Sequence, residues 1–259
     1  MLVKSMIIDI HAHPSRDRKA LRSMLEAARK AGIDKVCLLP IRGRSFERYF
    51  YTNEEMKNLV KEYSDWVIGF SAGSCIDPDG TEDLEKAVRD YGLKGVKIHE
   101  EKNWVLKGLL GCHGLLRKAG ELGVPVIIHS WHEEEGLPPG SEKYVGLQGR
   151  FPVRIISEVA RKCPDTILIF AHMGGNWEKA LQAAKPHENV YFDTCGFDPI
   201  IGVVERAVEV LGPERILFGS DAPGRSFVAQ LSKIQYADIS ERDRRLILGE
   251  NAMRILGLR

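Results

Sequence analysis

MIIDIHAHP, residues 6–14, runs from an aliphatic strand directly into two histidines spaced H-x-H, and the strand part of this pattern recurs along the chain. Seven further apolar runs follow: KVCLLP (35–40), WVIGFSAG (66–73), GVKIHE (95–100), PVIIHS (125–130), TILIFAH (166–172), NVYFDTC (189–195) and RILFGSD (215–221). Successive starts lie 23 to 41 residues apart, the size of a strand plus a crossover helix. Most runs place Val, Ile or Phe on both faces, as strands of a helix-covered parallel sheet do. The segments between them read as helices. Leu21, Met24, Leu25 and Ala28 form an i, i+3, i+4, i+7 stripe, as do Ile156, Val159, Ala160 and Cys163. Thr52 and Glu55 have capping-box spacing, and Ser240 is placed to cap the closing helix. Eight strands alternating with helices predict an α/β fold, the (β/α)8 TIM barrel. A dinucleotide-binding sheet would carry G-x-G-x-x-G after its first strand, and none stands there. No linker or composition break divides residues 1–259, so one domain is expected.

The composition narrows the function classes. With 44% hydrophobic residues, 28% charged residues and a net charge of +1, the 259-residue chain is neither disordered nor a dedicated nucleic-acid binder. No apolar run approaches the roughly 20 residues that span a bilayer. The amino-terminal residues pass straight into a strand, unlike a cleavable signal peptide. Five widely spaced cysteines suggest neither a disulfide framework nor a zinc ribbon. These features predict a cytoplasmic protein acting on a small molecule, with no nucleic-acid or membrane partner. Self-association is left open.

Polar residues gather where the strands end. His11 and His13 follow the first, His129 ends the fifth, His172 the sixth and Asp221 the eighth. A closed barrel brings these strand ends around one opening, where βα loops build the site. Several imidazoles and a carboxylate above an aliphatic core are costly unless paired or metal-bound. Imidazole nitrogen and carboxylate oxygen are natural ligands for zinc. The long segments 40–52 and 131–150 follow the second and fifth strands and are expected to face substrate.

These pieces resemble the amidohydrolase superfamily, and within it the amidohydrolase-2 branch of metal-dependent TIM-barrel hydrolases and decarboxylases. The matching motifs are DIHAHP (9–14), GLKGVKIHE (92–100), GVPVIIHS (123–130), IFAHMGGNW (169–177), VYFDTCG (190–196), ILFGSDAP (216–223) and ENAMRILG (250–257). The resemblance implies that His11, His13, His129 and Asp221 ligate a divalent metal, most readily Zn²⁺. It assigns catalysis to Asp221 and His172, which would activate water on the metal and move protons. Glu100 departs from the many relatives that have proline there. In another branch, a glutamate at this position bridges two ions, with His129 and His172 serving the second. Lys97 and His99 share one strand face while Glu100 falls on the other, so a solvated loop glutamate is the competing reading. One or two ions are therefore expected. Trp104, His132 and Arg225 are the expected substrate contacts, with Arg48 and His99 nearby. The leading activity is hydrolysis of a small amide, lactone or ester. The alternative is zinc-dependent non-oxidative decarboxylation of a small unsaturated or aromatic acid.

Overall fold

Side chains on successive strand residues point to opposite sides, so a closed parallel sheet needs two apolar layers, one inside and one beneath the helices. The computed structural model describes residues 6–42, 44–74, 80–99, 111–130, 153–196 and 200–258. It contains both layers. Val36, Leu38, Val126, Ile128, Leu168 and Phe170 pack outward against helices. Cys37, Leu39, Ile127, Ile169 and Ala171 alternate with them and pack with Ile8 and Ile10 in a separate inner cluster.

The strands are β1 (Ile8–Ala12), β2 (Lys35–Leu38), β3 (Val67–Gly69), β4 (Ser71–Gly73), β5 (Val96–Ile98), β6 (Val126–Ile128), β7 (Leu168–Phe170), β8 (Val190–Asp193) and β9 (Ile216–Leu217). They form two parallel sheets, β1-β2-β3 and β4-β5-β6-β7-β8-β9. The predicted third strand, 66–73, is split at Phe70 into β3 and β4, so nine short strands supply eight staves. The Phe70 amide still donates to the Leu38 carbonyl at 3.1 Å, which keeps the two halves in one wall. The remaining seam closes through Ile10 N to Phe218 O at 3.0 Å and an Ala12–Ala222 bridge. The chain has the (β/α)8 barrel fold.

The helices are α1 (Arg18–Lys30), α2 (Asn53–Glu62), α3 (Gly80–Arg89), α4 (His113–Glu121), α5 (Arg154–Lys162), α6 (Trp177–Ala184), α7 (Val203–Leu211), α8 (Phe227–Gln235), α9 (Glu241–Arg245) and α10 (Asn251–Ile255). The predicted stripe of α1 is buried, and its amino end is capped by Asp17, which accepts from Lys19 N and Ala20 N. Both hydrogen bonds of the Thr52–Glu55 capping box start α2, and Ser240 caps α9. Ala252, Ile255 and Leu256 join the inner cluster, so the last helix plugs the amino end of the barrel. Among the described residues, no helix is long and apolar enough to cross a membrane. Cys112 is disulfide-bonded, while Cys37, Cys163 and Cys195 are free thiols. The wide cysteine spacing gave no sign of that bridge, because disulfides depend on proximity in space.

Gly249, in the π turn Leu246–Glu250, lets the carboxyl-terminal segment press against the start of β1. A Cβ there would lie 1.9 Å from the Met6 carbonyl oxygen, a backbone atom with little room to yield. Gly249→Ala should therefore destabilise the fold by about 2–3 kcal/mol. Gly111→Ala, whose added Cβ meets nothing within 4 Å, should stay within about 0.5 kcal/mol of the parent. Urea denaturation midpoints of both variants test this.

Candidate metal centre

A register shift between Asp9 and Ala12 breaks the alternation of β1. Below it, Ile8 and Ile10 belong to the inner cluster; above it, His11 and His13 reach the polar end of the barrel while Ala12 packs outward. This irregularity joins an apolar core to a histidine pair on one strand. Asp9 anchors the bend, its carboxylate accepting from His11 N at 3.0 Å, Ser220 N at 2.9 Å and Ser220 Oγ at 2.6 Å. Burial raises the Asp9 pKa to about 7, against those hydrogen bonds.

Each histidine of the pair is oriented from behind. His13 Nδ1 lies 2.8 Å from the Leu39 carbonyl, which can only accept, so this nitrogen carries the hydrogen and Nε2 the lone pair. His11 Nδ1 lies 2.7 Å from Asp193 Oδ2, which leaves its Nε2 bare in the same way. Both Nε2 atoms face Asp221 Oδ1, at 3.2 Å from His13 and 3.8 Å from His11. Three electron-rich atoms thus converge with no hydrogen assigned between them, an arrangement that suits a cation. Their donor atoms all lie within 4.8 Å of one another. Lys97, buried inside the barrel, puts its Nζ 3.0 Å from His11 Nε2, so a positive group already addresses this lone pair.

The charge states suit ligation. Burial, then the nearby Lys97 and His13, pushes the His11 pKa well below its ordinary value. Burial alone would raise the Asp221 pKa. The close histidines, His13 first and then His172 and His11, outweigh that and hold it far below the usual carboxylate range. Neutral imidazole and ionised carboxylate are the forms that bind a divalent ion. Gly219 makes the close approach possible, since a Cβ there would sit 3.0 Å from His11 Cβ and 3.2 Å from Cys195 Cβ.

His129 and His172 form a second pair. His172 Nε2 lies 3.1 Å from His129 Nδ1, and burial lowers the pKa of both rings. The His99 ring lies 4.2 Å from His129 in a tilted contact and 4.7 Å from Phe46 in an edge contact, centroid to centroid. Among the described residues its buried Nδ1 has no hydrogen-bond partner. Beside these rings opens a cavity of about 240 Å³, lined also by Arg48, Tyr49, Asp221 and Arg225. Arg225 donates from Nε to the Gly196 carbonyl at 2.6 Å. His172 and Asp221 have φ of +55° and +63°, a left-handed conformation that costs non-glycine residues energy.

The structure therefore gathers His11, His13 and Asp221 in one cluster and keeps His129 with His172 beside it. Glu100, Trp104 and His132 lie outside the described residues, as does segment 131–150. From segment 40–52, Ile41, Phe46, Arg48 and Tyr49 do line the cavity. Sequence reasoning missed Asp193 and Cys195 as site residues. The available signal was an acid inside the otherwise apolar NVYFDTC run, where a buried charge needs partners.

His13→Ala and Asp221→Ala should each abolish retention of a divalent ion through desalting, measured by elemental analysis. His187→Ala, in a turn away from the cluster, should retain it. Asp193→Ala, which frees the His11 ring, should weaken ion binding by about 10–100-fold.

The amidohydrolase family profile matches residues 8–258. Curated protein sequences yield no match. Among solved structures, 2,6-dihydroxybenzoate decarboxylase from Rhizobium is similar at a TM-score of 0.72 and 19% identity, covering 98% of this chain and 99% of that one. Dihydroxybenzoic acid decarboxylase from Polaromonas sp., crystallised with manganese and the inhibitor 2-nitroresorcinol, gives a TM-score of 0.71 at 17% identity, covering 98% and 97%. An uncharacterized TIM-barrel protein from Bordetella bronchiseptica also gives 0.71 at 17%, covering 98% and 99%. Likeness at these identities speaks for the fold. The family match spans nearly the whole sequence, and on that ground the chain belongs to the amidohydrolase superfamily of enzymes.

Proposed function

We propose that the protein is a metal-dependent, non-oxidative decarboxylase of a small aromatic or unsaturated carboxylic acid, and that hydrolysis of an amide, lactone or ester is not its main activity. The observation that carries this reading is the His11, His13 and Asp221 cluster, a candidate cation site among the described residues, beside a small cavity with arginine and aromatic walls. Two similarly folded proteins named above are decarboxylases of hydroxybenzoic acids, which supports the same reading.

In such a reaction the bond between a substrate carbon and its carboxylate breaks. Carbon dioxide leaves, the electron pair stays on the substrate carbon, and a proton replaces the lost group. Arg48 and Arg225 would pair with substrate carboxylate or phenolate oxygen, a match between guanidinium and anionic oxygen. Phe46 and Tyr49 would flank the planar part of the molecule. His11, His13 and Asp221 would hold one divalent ion, Zn²⁺ or Mn²⁺, which when bound withdraws charge from substrate oxygens as a Lewis acid. His172 and Asp221 border the same cavity and would carry the proton, at His172 Nε2 and an Asp221 carboxylate oxygen.

Hydrolysis by the two-metal scheme would need Glu100 as a bridge and a second ion. Two measurements separate the readings. Elemental analysis should give one divalent ion per chain, unchanged in Glu100→Gln. Incubation with a panel of hydroxylated aromatic acids should release carbon dioxide from at least one. Two ions per chain, together with turnover confined to esters, lactones or amides, would overturn the proposal. Arg225→Met should raise KM for the acid by about 10–100-fold, the loss of one charge-assisted contact, while metal content stays at the parental level.

A further inference from the structure

Val96 and Ile98 of β5 pack outward against helices, so parity turns Lys97, between them, into the barrel interior at the level of Ile127. The whole residue is buried. A buried amine is costly unless its hydrogens find acceptors. Among the described residues, the acceptor that Lys97 Nζ reaches is His11 Nε2, at 3.0 Å, and no carboxylate oxygen stands within ion-pair distance of it. Asp193 and Asp221 act on the lysine only from farther away. The direction of the hydrogen bond follows from the other side of the ring. His11 Nδ1 lies 2.7 Å from Asp193 Oδ2, a nearer and stronger acceptor than the Cys195 sulfur at 3.2 Å, so the ring hydrogen sits on Nδ1 and the lone pair on Nε2. A lysine nitrogen carries hydrogens in either charge state, and one of them is directed at that lone pair.

We infer that Lys97 is a built-in competitor of the divalent ion: its N–H holds the His11 lone pair that ligation requires, and the ion binds there only by displacing it. An imidazole nitrogen has one lone pair in the ring plane and cannot serve both partners. The competition is confined to one of the three donors. His13 Nε2 and Asp221 Oδ1 face each other at 3.2 Å, and among the described residues no lysine hydrogen-bonds either. Removing the lysine should tighten ion binding for two reasons that act in the same direction. A hydrogen bond no longer has to be broken, and no amine remains to be left unpaired or positively charged beside a divalent cation. In the parent, the same hydrogen bond keeps the His11 ring engaged whenever the ion departs, so the centre would exchange its ion without losing the arrangement of its polar layer. The inference rests on the metal centre of the proposed function and not on the reaction run there.

The test uses full-length protein stripped of metal by dialysis and titrated with Zn²⁺ against a colorimetric chelator, without substrate. Lys97→Met keeps a long unbranched side chain and removes the N–H, and it should lower the Kd for Zn²⁺ by about 10–100-fold. An unchanged Kd overturns the inference, and so does a raised one, which would make the lysine a support of the ion and not its rival. Should the methionine variant fail to fold, crystals of the parent decide. In stripped protein Nζ should lie at about 3 Å from His11 Nε2, and with Zn²⁺ bound it should have moved out of hydrogen-bond reach. An Nζ that keeps its place beside a ligating Nε2 overturns the inference. A parent that takes up no Zn²⁺ would defeat the metal centre and this role with it. Zinc binding as described, without carbon dioxide release from any acid, would defeat the decarboxylase reading and leave the role of Lys97 standing.

Discussion

Asp193 accepts from the His11 ring through one oxygen and from the backbone amides of His172 and Cys195 through the other. These three residues come from strand ends on three different staves. A free carboxylate so deep in the barrel would be costly, and the donors around it offset that cost only when all are in place. The same hydrogen bonds decide which nitrogen of His11 faces His13 and Asp221. The setting of the His11 ring, the setting of His172 and the integrity of the polar layer therefore rise or fall together.

The barrel makes this concentration of polar groups tolerable. Its inner layer is aliphatic up to Ile10, Leu39, Ile127 and Ala171, and α10 seals the other end. Histidine, aspartate and lysine gather toward the opposite end, where Lys97 enters the interior at the level of Ile127. The register shift in β1 is the local device that lets the change occur within a few residues of one strand. A strand that kept strict alternation would have placed His11 on the face opposite Ile10 and pointed it at the helices.

Much of this was legible from spacing. The strand runs announce a barrel, and the barrel then converges residues as distant as His11 and Asp221. The helix stripes and the Thr52 cap were legible because they follow local periodicity and local hydrogen bonding. Asp193 was not, because its role depends on partners 182 and 21 residues away and on no repeat or spacing of its own. Cys195 was hidden for a similar reason, since a cysteine in an apolar strand reads as packing until two rings are found against its sulfur. The break at Phe70 was also unreadable, as WVIGFSAG has the composition of one continuous strand. Parity did anticipate Lys97 and His99 on one face, and both are found on the site side, at His11 and in the cavity wall.

The two residues proposed to carry protons are also the two non-glycine site residues with strained backbone. Left-handed φ at His172 and Asp221 costs on the order of 1–2 kcal/mol each. Such strain persists only where the surroundings over-determine it. The Asp221 amide is held by the His11 carbonyl at 2.7 Å, and the His172 amide by Asp193 at 3.0 Å. Each strained residue is thus tied to the strand that supplies H-x-H or to the carboxylate that orients it. A relaxed turn at either position would carry the side chain away from the cavity and release the strain at once. The folding free energy spent on these two conformations is what keeps the acid and the imidazole on the same small cavity.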